Sequence, residues 1–395
     1  MPHYPRIVPA VTQIPSGFTF SPLAQKLAKH KGPLFPLHVG DTWMEPFEGG
    51  RMENLLSLEH DGLHRYTAPR GIREVIETVA AKVVAENKIP CTKDSVIMTA
   101  GATGALASAI GATISEGDEV LILSPFWPLI RNIVRTFRGT PVEVPFYDRI
   151  VCDCPPANKI STADEALAAV QAKYTPRTAA IYVSTPNNPT GAVLSEEILQ
   201  ALASWASAKN LWIFSDEVYE YLAYTKPHIS IARFAPERTL TAFSFSKTYG
   251  MAGNRAGYLV GPQVIMDAIL KVSTHLIYSA PTAGQIAGMR AIQSGGAWLD
   301  RARAQYQEIG DEMADLLSLP RPEGSTFLFF DASPHLDDRG IGGFLEDCLE
   351  DGVVLTPGSS CGAGYENWVR LCYTCVAPDA TREGVRRLAS RMEAG

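Results

Sequence analysis

Between about residues 95 and 260, short apolar segments alternate with segments of helical character. Some of the apolar segments are continuous runs, such as VLIL at 120–123 and LWIF at 211–214. Such runs are typical of strands whose sheet is covered by helices on both faces. The alternation predicts an α/β fold built on a mostly parallel seven-stranded sheet. The expected strands are 95–99, 119–123, 141–145, 179–184, 211–215, 240–244 and 256–260.

The chain has 395 residues, which is more than one ordinary domain needs, and its pattern changes after about residue 285. Mixed helices and strands there are typical of a smaller α+β domain. We predict an N-terminal arm over 1–40 that joins the small domain, a large domain over 41–285 and a small C-terminal domain over 286–395. The expected small-domain elements are a helical stretch over 283–317 with glycine breaks near 295, strands at 326–331 and 368–373, and helices near 341–351 and 378–392.

Charge and hydropathy exclude several classes of protein. The net charge is −7 and no dense basic stripe occurs, so nucleic acid is not an expected partner. No apolar run approaches the roughly 18 residues of a membrane helix, and the opening MPHYPRIVPAV does not resemble a secretory signal. Seven scattered cysteines then indicate free thiols in a reducing cytoplasm. Cys372 and Cys375 have CxxC spacing, but strand alternation explains them better than a zinc or redox site.

A lysine and an arginine follow one of the predicted strands. The segment Ser244-Phe-Ser-Lys247 ends the strand, at the position where α/β sheets bind ligands. A single lysine is weak evidence, because most lysines are solvated surface groups. Arg255 lies eight residues further on, among glycines and just before another strand. The two cations together indicate a site for an anionic cofactor.

An acidic residue and an amide follow two other strands. Asp216 comes directly after an apolar run, with Tyr219 close behind. A carboxylate beside a pyridine nitrogen keeps that nitrogen protonated and makes the ring an electron sink; the alternative for Asp216 is a helix N-cap. Asn188 lies in the NNPTG segment, which is either a rigid turn or the donor to a phenolate oxygen of a cofactor.

Small residues and a tryptophan mark two further strand ends. Ala102 and Thr103 lie in a glycine-containing turn before an alanine-rich helix, whose N-terminus can bind a phosphate. The spacing is neither that of a dinucleotide fold nor that of a Walker loop. Trp127 either fills the core or covers the face of a bound aromatic ring.

One arginine interrupts an apolar strand near the C-terminus. Arg370 lies within WVRLCY, and a buried arginine needs an anionic partner. Its planar guanidinium matches a carboxylate in bidentate fashion. We favour a carboxylate of a ligand over a structural ion pair.

In this order, NNPTG, SDEVY, SFSK with Arg255, and WVRLCYT resemble the motifs of the class I/II aminotransferases, the aspartate aminotransferase-like branch of the fold-type I pyridoxal phosphate family. The resemblance runs from about Leu37 to the C-terminus. It implies pyridoxal 5′-phosphate as cofactor, bound by the large domain over 41–285. It also implies amino transfer between an L-amino acid and a 2-oxo acid by a ping-pong mechanism.

The resemblance also implies roles for single residues. Lys247 would form an aldimine with the cofactor and move the proton during transfer. Asp216 would keep the ring nitrogen protonated, while Arg370 and the backbone of Gly40 would bind the substrate carboxylate together with Asn188. The remaining cofactor contacts would come from Tyr219 and Asn188 at the phenolic oxygen, Trp127 on the ring face, and Ala102, Thr103, Ser244 and Arg255 at the phosphate.

Tyr66 resembles the tyrosine that reaches the phosphate in a neighbouring subunit, which implies a homodimer with shared active sites. His275 stands where the dicarboxylate-specific branch carries an arginine, and a histidine is a poor substitute at neutral pH. We therefore expect an aromatic or mostly apolar amino acid as the donor.

Other chemistry on the same fold remains an alternative. Asn254, Ser325, Thr326 and Cys361 depart from the usual pattern, and the last three lie near the substrate side chain in relatives. A carbon–sulfur β-lyase, or a cyclase or synthase of specialised metabolism, would keep the same lysine, aspartate and arginine. A regulatory protein would need a DNA-binding domain, for which residues 1–40 are too short and too rich in proline.

Overall fold

A computed structural model describes residues 8–12, 14, 22–56, 59–151 and 159–394. Its largest unit is a seven-stranded sheet in the order β1-β7-β6-β5-β4-β2-β3. Strand β7 runs antiparallel to β1 and β6, and the other neighbours are parallel, so the predicted mostly parallel sheet is confirmed. Its strands are β1 Val96–Thr99, β2 Glu119–Ser124, β3 Thr140–Pro145, β4 Thr178–Ser184, β5 Trp212–Asp216, β6 Thr239–Ser244 and β7 Gly257–Val260.

Helices cover both faces of this sheet and continue into the second unit. Ser195 begins one of them, because its side chain accepts a hydrogen bond from the Ile198 amide at 3.4 Å. The helices are α1 Pro9–Thr12, α2 Pro22–Leu27, α3 Arg73–Lys82, α4 Gly101–Thr113, α5 Pro128–Thr136, α6 Asp148–Val151, α7 Ala163–Gln171, α8 Glu196–Ala208, α9 Phe245–Thr248, α10 Gln263–Ile277, α11 Thr282–Ser294, α12 Gly296–Leu316, α13 Gly340–Glu350 and α14 Pro378–Ala394. Within these described ranges, no helix is both long and apolar enough to cross a membrane.

The core of the large unit follows the alternation of side chains along its strands. Ile122 and Phe214 pack on one face with residues of α4, α5 and α10. Leu121 and Ile213, one position earlier on the same two strands, pack on the other face with residues of α7 and α8. Burial on both faces explains why these strands are continuous apolar runs in the sequence.

The second unit is a three-stranded antiparallel sheet in the order β8-β10-β9, packed against helices. The strands are β8 Phe327–Asp331, β9 Thr356–Pro357 and β10 Trp368–Cys372. Phe35 and Leu37 are buried in its core, which places this part of the N-terminal region against the small sheet. The helical stretch expected over 283–317 is divided into α11 and α12 at Gly295. The domain boundaries at residues 40 and 285 stay predictions, and residues 1–7, 13 and 15–21 of the expected arm lie outside the described residues.

The CxxC segment belongs to the small sheet. Cys372 ends β10 and is fully buried, whereas Cys375 follows in a turn and is half-buried. Both are free thiols. The Cys372 thiol donates to the backbone carbonyl of Asp41, and the Cys375 thiol donates to that of Pro36 at 3.3 Å. The pair therefore attaches the 36–41 segment to the end of β10.

Candidate active site

A cavity of about 220 Å³ opens where β4, β5 and β6 end and the small sheet approaches. All residues predicted to contact the cofactor or the substrate carboxylate are in its lining except Tyr66. Four further residues line it that the sequence analysis did not select: Val218, Ser246, Ala252 and Phe327. The lining consists of Gly40, Ala102, Thr103, Trp127, Asn188, Asp216, Val218, Tyr219, Ser244, Ser246, Lys247, Ala252, Arg255, Phe327 and Arg370.

Lys247 lies on the short helix α9, which begins directly after β6. Ser244 caps this helix, because its hydroxyl accepts from the Ser246 amide at 3.1 Å. The Lys247 ammonium donates to the backbone carbonyl of Gly40 and lies 3.9 Å from a carboxylate oxygen of Asp41. Burial lowers the pKa of Lys247, and Asp41 opposes that shift only in part. A lowered pKa increases the fraction of neutral amine, which is the form that attacks a carbonyl carbon.

Asp216 ends β5 and is almost fully buried. Its Oδ2 accepts a hydrogen bond from the Tyr182 hydroxyl at 2.7 Å, whereas Oδ1 has no hydrogen-bond partner among the described residues. Burial raises the pKa of Asp216 to about 6, and the Tyr182 hydrogen bond limits the rise. A buried carboxylate oxygen without a partner is costly unless a ligand supplies a donor. A protonated pyridine nitrogen is such a donor, so this wall of the cavity fits pyridoxal phosphate.

Positive charge and backbone donors collect at one end of the cavity. Helix α4 begins at Gly101, so the first-turn amides of Ala102 and Thr103 lie at the cavity wall. Gly101 has φ of +67°, and a Cβ there would come within 2.9 Å of Arg255 Nη2. The Arg255 guanidinium is held by the Ala252 carbonyl at 2.8 Å. A helix N-terminus, a guanidinium and the Ser244 hydroxyl together suit a phosphate group.

Arg370 projects from β10 at the small-domain side of the cavity and is buried. Its Nη1 donates to Asn188 Oδ1 and its Nη2 donates to the His38 carbonyl, both at 3.1 Å. The guanidinium carbon lies 4.5 Å from the centre of the Phe327 ring, which is a cation–π contact. Among the described residues no carboxylate lies within 4.0 Å of this guanidinium, so its charge is available for an anionic ligand.

Phe327 connects several parts of the cavity wall. Its ring packs edge-on against Tyr219 at 6.1 Å and lies so close to Gly40 that a Cβ at that position would be 2.8 Å from Cζ. Glycine at position 40 therefore lets the 38–41 backbone lie across the ring. Burial raises the pKa of the Tyr219 hydroxyl, so that hydroxyl is protonated and can donate at neutral pH. Trp127, at the start of α5, is half-buried in the same wall.

Two residues singled out in the sequence lie outside this cavity. Tyr66 is predicted to reach a neighbouring subunit, and His275 is predicted to bear on the choice of substrate. The Tyr66 side chain is 83% exposed, and its ring centre lies 4.8 Å from that of Tyr278. His275 is exposed near the end of α10, where its Nδ1 lies 2.7 Å from the Lys271 carbonyl. Neither residue lines the cavity of its own chain.

Comparison with known proteins finds similarity to aminotransferases. Residues 36–388 match the family model described as aminotransferase class I and II. The aspartate/prephenate aminotransferase of Thermus thermophilus is 34% identical over 337 residues, which are 83% of each chain. Aromatic-amino-acid aminotransferase 2 of Thermococcus litoralis is 32% identical over 79% of this chain and 80% of that relative. A double mutant of Thermus thermophilus aspartate aminotransferase superposes with a TM-score of 0.87 at 31% identity, covering 98% of this chain and 100% of the other.

Proposed function

The chain belongs to the class I and II aminotransferases and is an aminotransferase of amino acids and oxo acids, and from this premise we propose that it works with pyridoxal phosphate held by Lys247. The observation that carries the proposal is the buried Asp216, whose Oδ1 lacks a partner in the same cavity as Lys247. The phosphate-binding end formed by Arg255 and the start of α4 supports it further.

When bound, pyridoxal phosphate supplies an aldehyde carbon for amines and a protonated ring that accepts the electrons released at a substrate α-carbon. The protein supplies positions for the atoms and sites for the protons. Neutral Lys247 Nζ is the group that takes the α-proton and returns it, and the Gly40 carbonyl orients this amine. Asp216 Oδ1, which has no partner among the described residues, would accept a hydrogen bond from the ring nitrogen.

Asn188 and Arg370 act as one unit in this proposal. Because Asn188 Oδ1 accepts from Arg370, the amide NH₂ of Asn188 is the end left to donate towards the phenolic oxygen of the cofactor. The Tyr219 hydroxyl, in the same cavity lining, would donate to the same oxygen. Arg370 then binds the α-carboxylate of the substrate, with its guanidinium plane fixed by the Phe327 ring and the His38 carbonyl.

We further propose that the preferred amino donor is aromatic or mostly apolar. Lys247, Arg255 and Arg370 are the basic residues in the cavity lining, and each already has a role, so this chain's own lining offers no further cation for a distal carboxylate. Trp127 and Phe327 add aromatic surface. The relative from Thermococcus litoralis is named for aromatic amino acids, whereas the Thermus thermophilus relative is named for aspartate and prephenate.

A screen of half-reactions tests the function and the donor together. Each of the twenty amino acids is mixed with the cofactor-loaded protein without any oxo acid, and the conversion of the cofactor to its amine form is followed by absorbance. We expect aromatic and large apolar amino acids to convert it fastest. A wide advantage for aspartate would show that the donor proposal is wrong, whereas no conversion by any amino acid would contradict the proposed use of the cofactor.

The matched control in this screen is the amine that corresponds to the best amino acid but lacks its carboxylate. It keeps the side chain and removes the group that Arg370 is proposed to bind. We expect kcat/KM to fall by about 10²-fold or more, the effect of one buried charge-assisted hydrogen-bonded pair. An amine that reacts as fast as its parent amino acid would exclude Arg370 as the carboxylate site. Release of pyruvate and a thiol from cystathionine, without any oxo acid, would instead indicate a β-lyase.

We also propose a homodimer in which Tyr66 reaches the phosphate of the neighbouring subunit. Several large apolar side chains in the stretches 39–66 and 276–278 are exposed, which is unusual for surfaces that face water. Tyr66 and Tyr278 connect the two stretches as an aromatic pair. The other exposed side chains are Val39, Met52, Leu56, Leu276 and Ile277.

Hybrid dimers test the shared site. Lys247→Ala and Tyr66→Ala are each expected to have low activity when the cofactor is limiting. Unfolding and refolding the two variants together forms mixed dimers, in which one of the two sites has both Lys247 and Tyr66. Random pairing makes about half of the dimers mixed, and each mixed dimer has one intact site of two, so we expect the mixture to regain up to about a quarter of the wild-type activity. If the mixture only averages the two variants although mixed dimers form, Tyr66 acts within its own subunit.

A further inference from the structure

A second carboxylate is buried directly behind the one that faces the cavity. Glu217 follows Asp216 in the chain, is fully buried and does not line the cavity. Its amide donates to the Ala242 carbonyl at 3.0 Å, so the chain is still extended along β6 at this point. Because successive side chains of an extended chain point to opposite sides, Glu217 lies on the far side of Asp216 from the cavity.

Three donors hold the Glu217 carboxylate. The hydroxyls of Ser215 and Ser230 both donate to Oε1 at 2.7 Å. His228 Nε2 lies 2.9 Å from Oε2, and the histidine side chain is only 7% exposed. These contacts give both carboxylate oxygens of Glu217 a hydrogen-bond partner. An ionised carboxylate can only accept, so His228 Nε2 carries the hydrogen of this contact.

A nearby buried carboxylate shows that this arrangement differs from ordinary charge compensation. Glu220 is paired with Lys82 at 2.6 Å, and both side chains are buried. Glu217 has neither a lysine nor an arginine within 4.0 Å among the described residues, and its hydrogen bonds come from two hydroxyls and one imidazole. The negative charge of Glu217 is therefore held by hydrogen bonds, and no lysine or arginine of the described residues is paired with it.

The charge of Glu217 acts on Asp216 through the protein interior. Burial is the main cause of the raised pKa of Asp216, and repulsion from Glu217 raises it further. The negative potential that raises the proton affinity of a carboxylate also raises the proton affinity of a nitrogen that is hydrogen-bonded to it.

We propose that Glu217 is a positioning residue for the cofactor: its buried negative charge acts through Asp216 to favour the proton on the ring nitrogen, and His228, Ser215 and Ser230 hold this charge in place. The inference rests on the proposed function, because it requires the pyridine ring of pyridoxal phosphate beside Asp216. No contact between Glu217 and the substrate is required.

Two ligands that differ only at the ring nitrogen isolate this effect. Apoproteins of the wild type, Glu217→Gln, Asp216→Asn and Glu220→Gln are titrated with pyridoxal phosphate and with its 1-deaza analogue, in which carbon replaces the nitrogen. Quenching of protein fluorescence gives both dissociation constants, so no catalytic activity is needed. The ratio of the two constants measures what the nitrogen contributes to binding.

We expect the wild type to prefer pyridoxal phosphate, and Asp216→Asn to lose most of this preference. Glu217→Gln should lower the preference by about three- to tenfold, since one pKa unit corresponds to a factor of ten in proton affinity. Glu220→Gln, the matched loss of a buried carboxylate on the same segment, should keep the wild-type ratio. Circular dichroism of each apoprotein checks that the fold is kept.

The possible failures of the inference and of the proposed function differ. A wild-type ratio in folded Glu217→Gln overturns the inference alone. A wild type without any preference, or Asp216→Asn with an unchanged preference, overturns the proposed site of the ring nitrogen. Should Glu217→Gln not give a folded apoprotein, Ser230→Ala decides the matter, because it removes one donor and keeps the carboxylate. That variant is expected to lower the ratio by about twofold, and an unchanged ratio there also overturns the inference.

Discussion

Replacement of Lys247 by alanine is expected to lower kcat for amino transfer by at least about four orders of magnitude, because one side chain supplies both the attachment point of the cofactor and the proton-transfer base. The geometry makes it difficult for another residue of the cavity lining to take over the role of Lys247. The Lys247 amine is held by the Gly40 carbonyl, and burial lowers its pKa towards the neutral form. The other basic side chains of the cavity lining, Arg255 and Arg370, are guanidiniums that do not deprotonate in proteins.

Covalent labelling separates this prediction from a general loss of structure. Wild-type protein loaded with pyridoxal phosphate and reduced with borohydride should carry the cofactor on the peptide that contains Lys247, as read by mass spectrometry. Lys247→Ala should bind the cofactor without any label on that peptide. Lys247→Arg is the matched control, since it keeps the positive charge and removes the nucleophile. Label on another lysine of the wild type would exclude Lys247 as the attachment site.

The fold could be read from the sequence because most strands of the large sheet are buried on both faces. Short apolar segments marked these strands, as continuous runs in β2 and β5, and each observed boundary lies within one residue of the expected one. The site residues at strand ends could also be selected, since the carboxyl ends of parallel strands meet at one edge. A local sequence pattern was therefore sufficient to select candidate site residues that stand at the end of a strand.

Contacts between distant parts of the chain could not be predicted in this way. Phe327 reads as one apolar residue among several in β8, yet it packs on Arg370, Tyr219 and Gly40. Tyr182 likewise reads as filler in an apolar run, although its hydroxyl binds Asp216 across 34 residues of sequence. Glu217 reads as an ordinary acidic residue after a strand, because the donors from 228–230 become visible only in the folded chain. Pairing of this kind depends on the tertiary arrangement, which single-residue patterns do not specify.

Replacement of Asp216 by asparagine is expected to stabilise the apoprotein at alkaline pH while it weakens catalysis. The pKa of Asp216 in the folded protein is raised from 3.8 to about 6, with burial as the main cause. Since the folded-state pKa lies above the unfolded value, the contribution of this group to stability is fully present below about pH 4 and is lost as the pH rises through 6. Above that range the apoprotein therefore carries a penalty of about 3 kcal/mol from one buried charge.

Asparagine removes the charge and can still accept from the Tyr182 hydroxyl, but it leaves a buried amide to be satisfied. We therefore expect a net gain in the free energy of unfolding of about 1–2 kcal/mol at pH 8, which disappears as the pH is lowered towards 4. Urea denaturation of the apoproteins at several pH values measures it. The same variant should lower kcat by about 10²-fold or more, because a neutral amide cannot keep the ring nitrogen protonated.

An exposed aspartate gives the control for this pH dependence. Asp300→Asn on α12 removes one negative charge from the protein without relieving burial, so its unfolding free energy should follow that of the wild type at every pH. Loading with pyridoxal phosphate should make the wild type more stable than Asp216→Asn, which reverses the order of the two apoproteins. Only the wild-type carboxylate gains a cationic partner, and binding stabilises the folded state. If the Asp216→Asn apoprotein were less stable than the wild type at pH 8, the buried carboxylate would not be strained in the absence of the cofactor. The raised pKa of Asp216 and the opposite effects of Asp216→Asn on stability and on activity have the same cause. Folding buries the charge of Asp216, and only the cofactor provides a cationic partner for it.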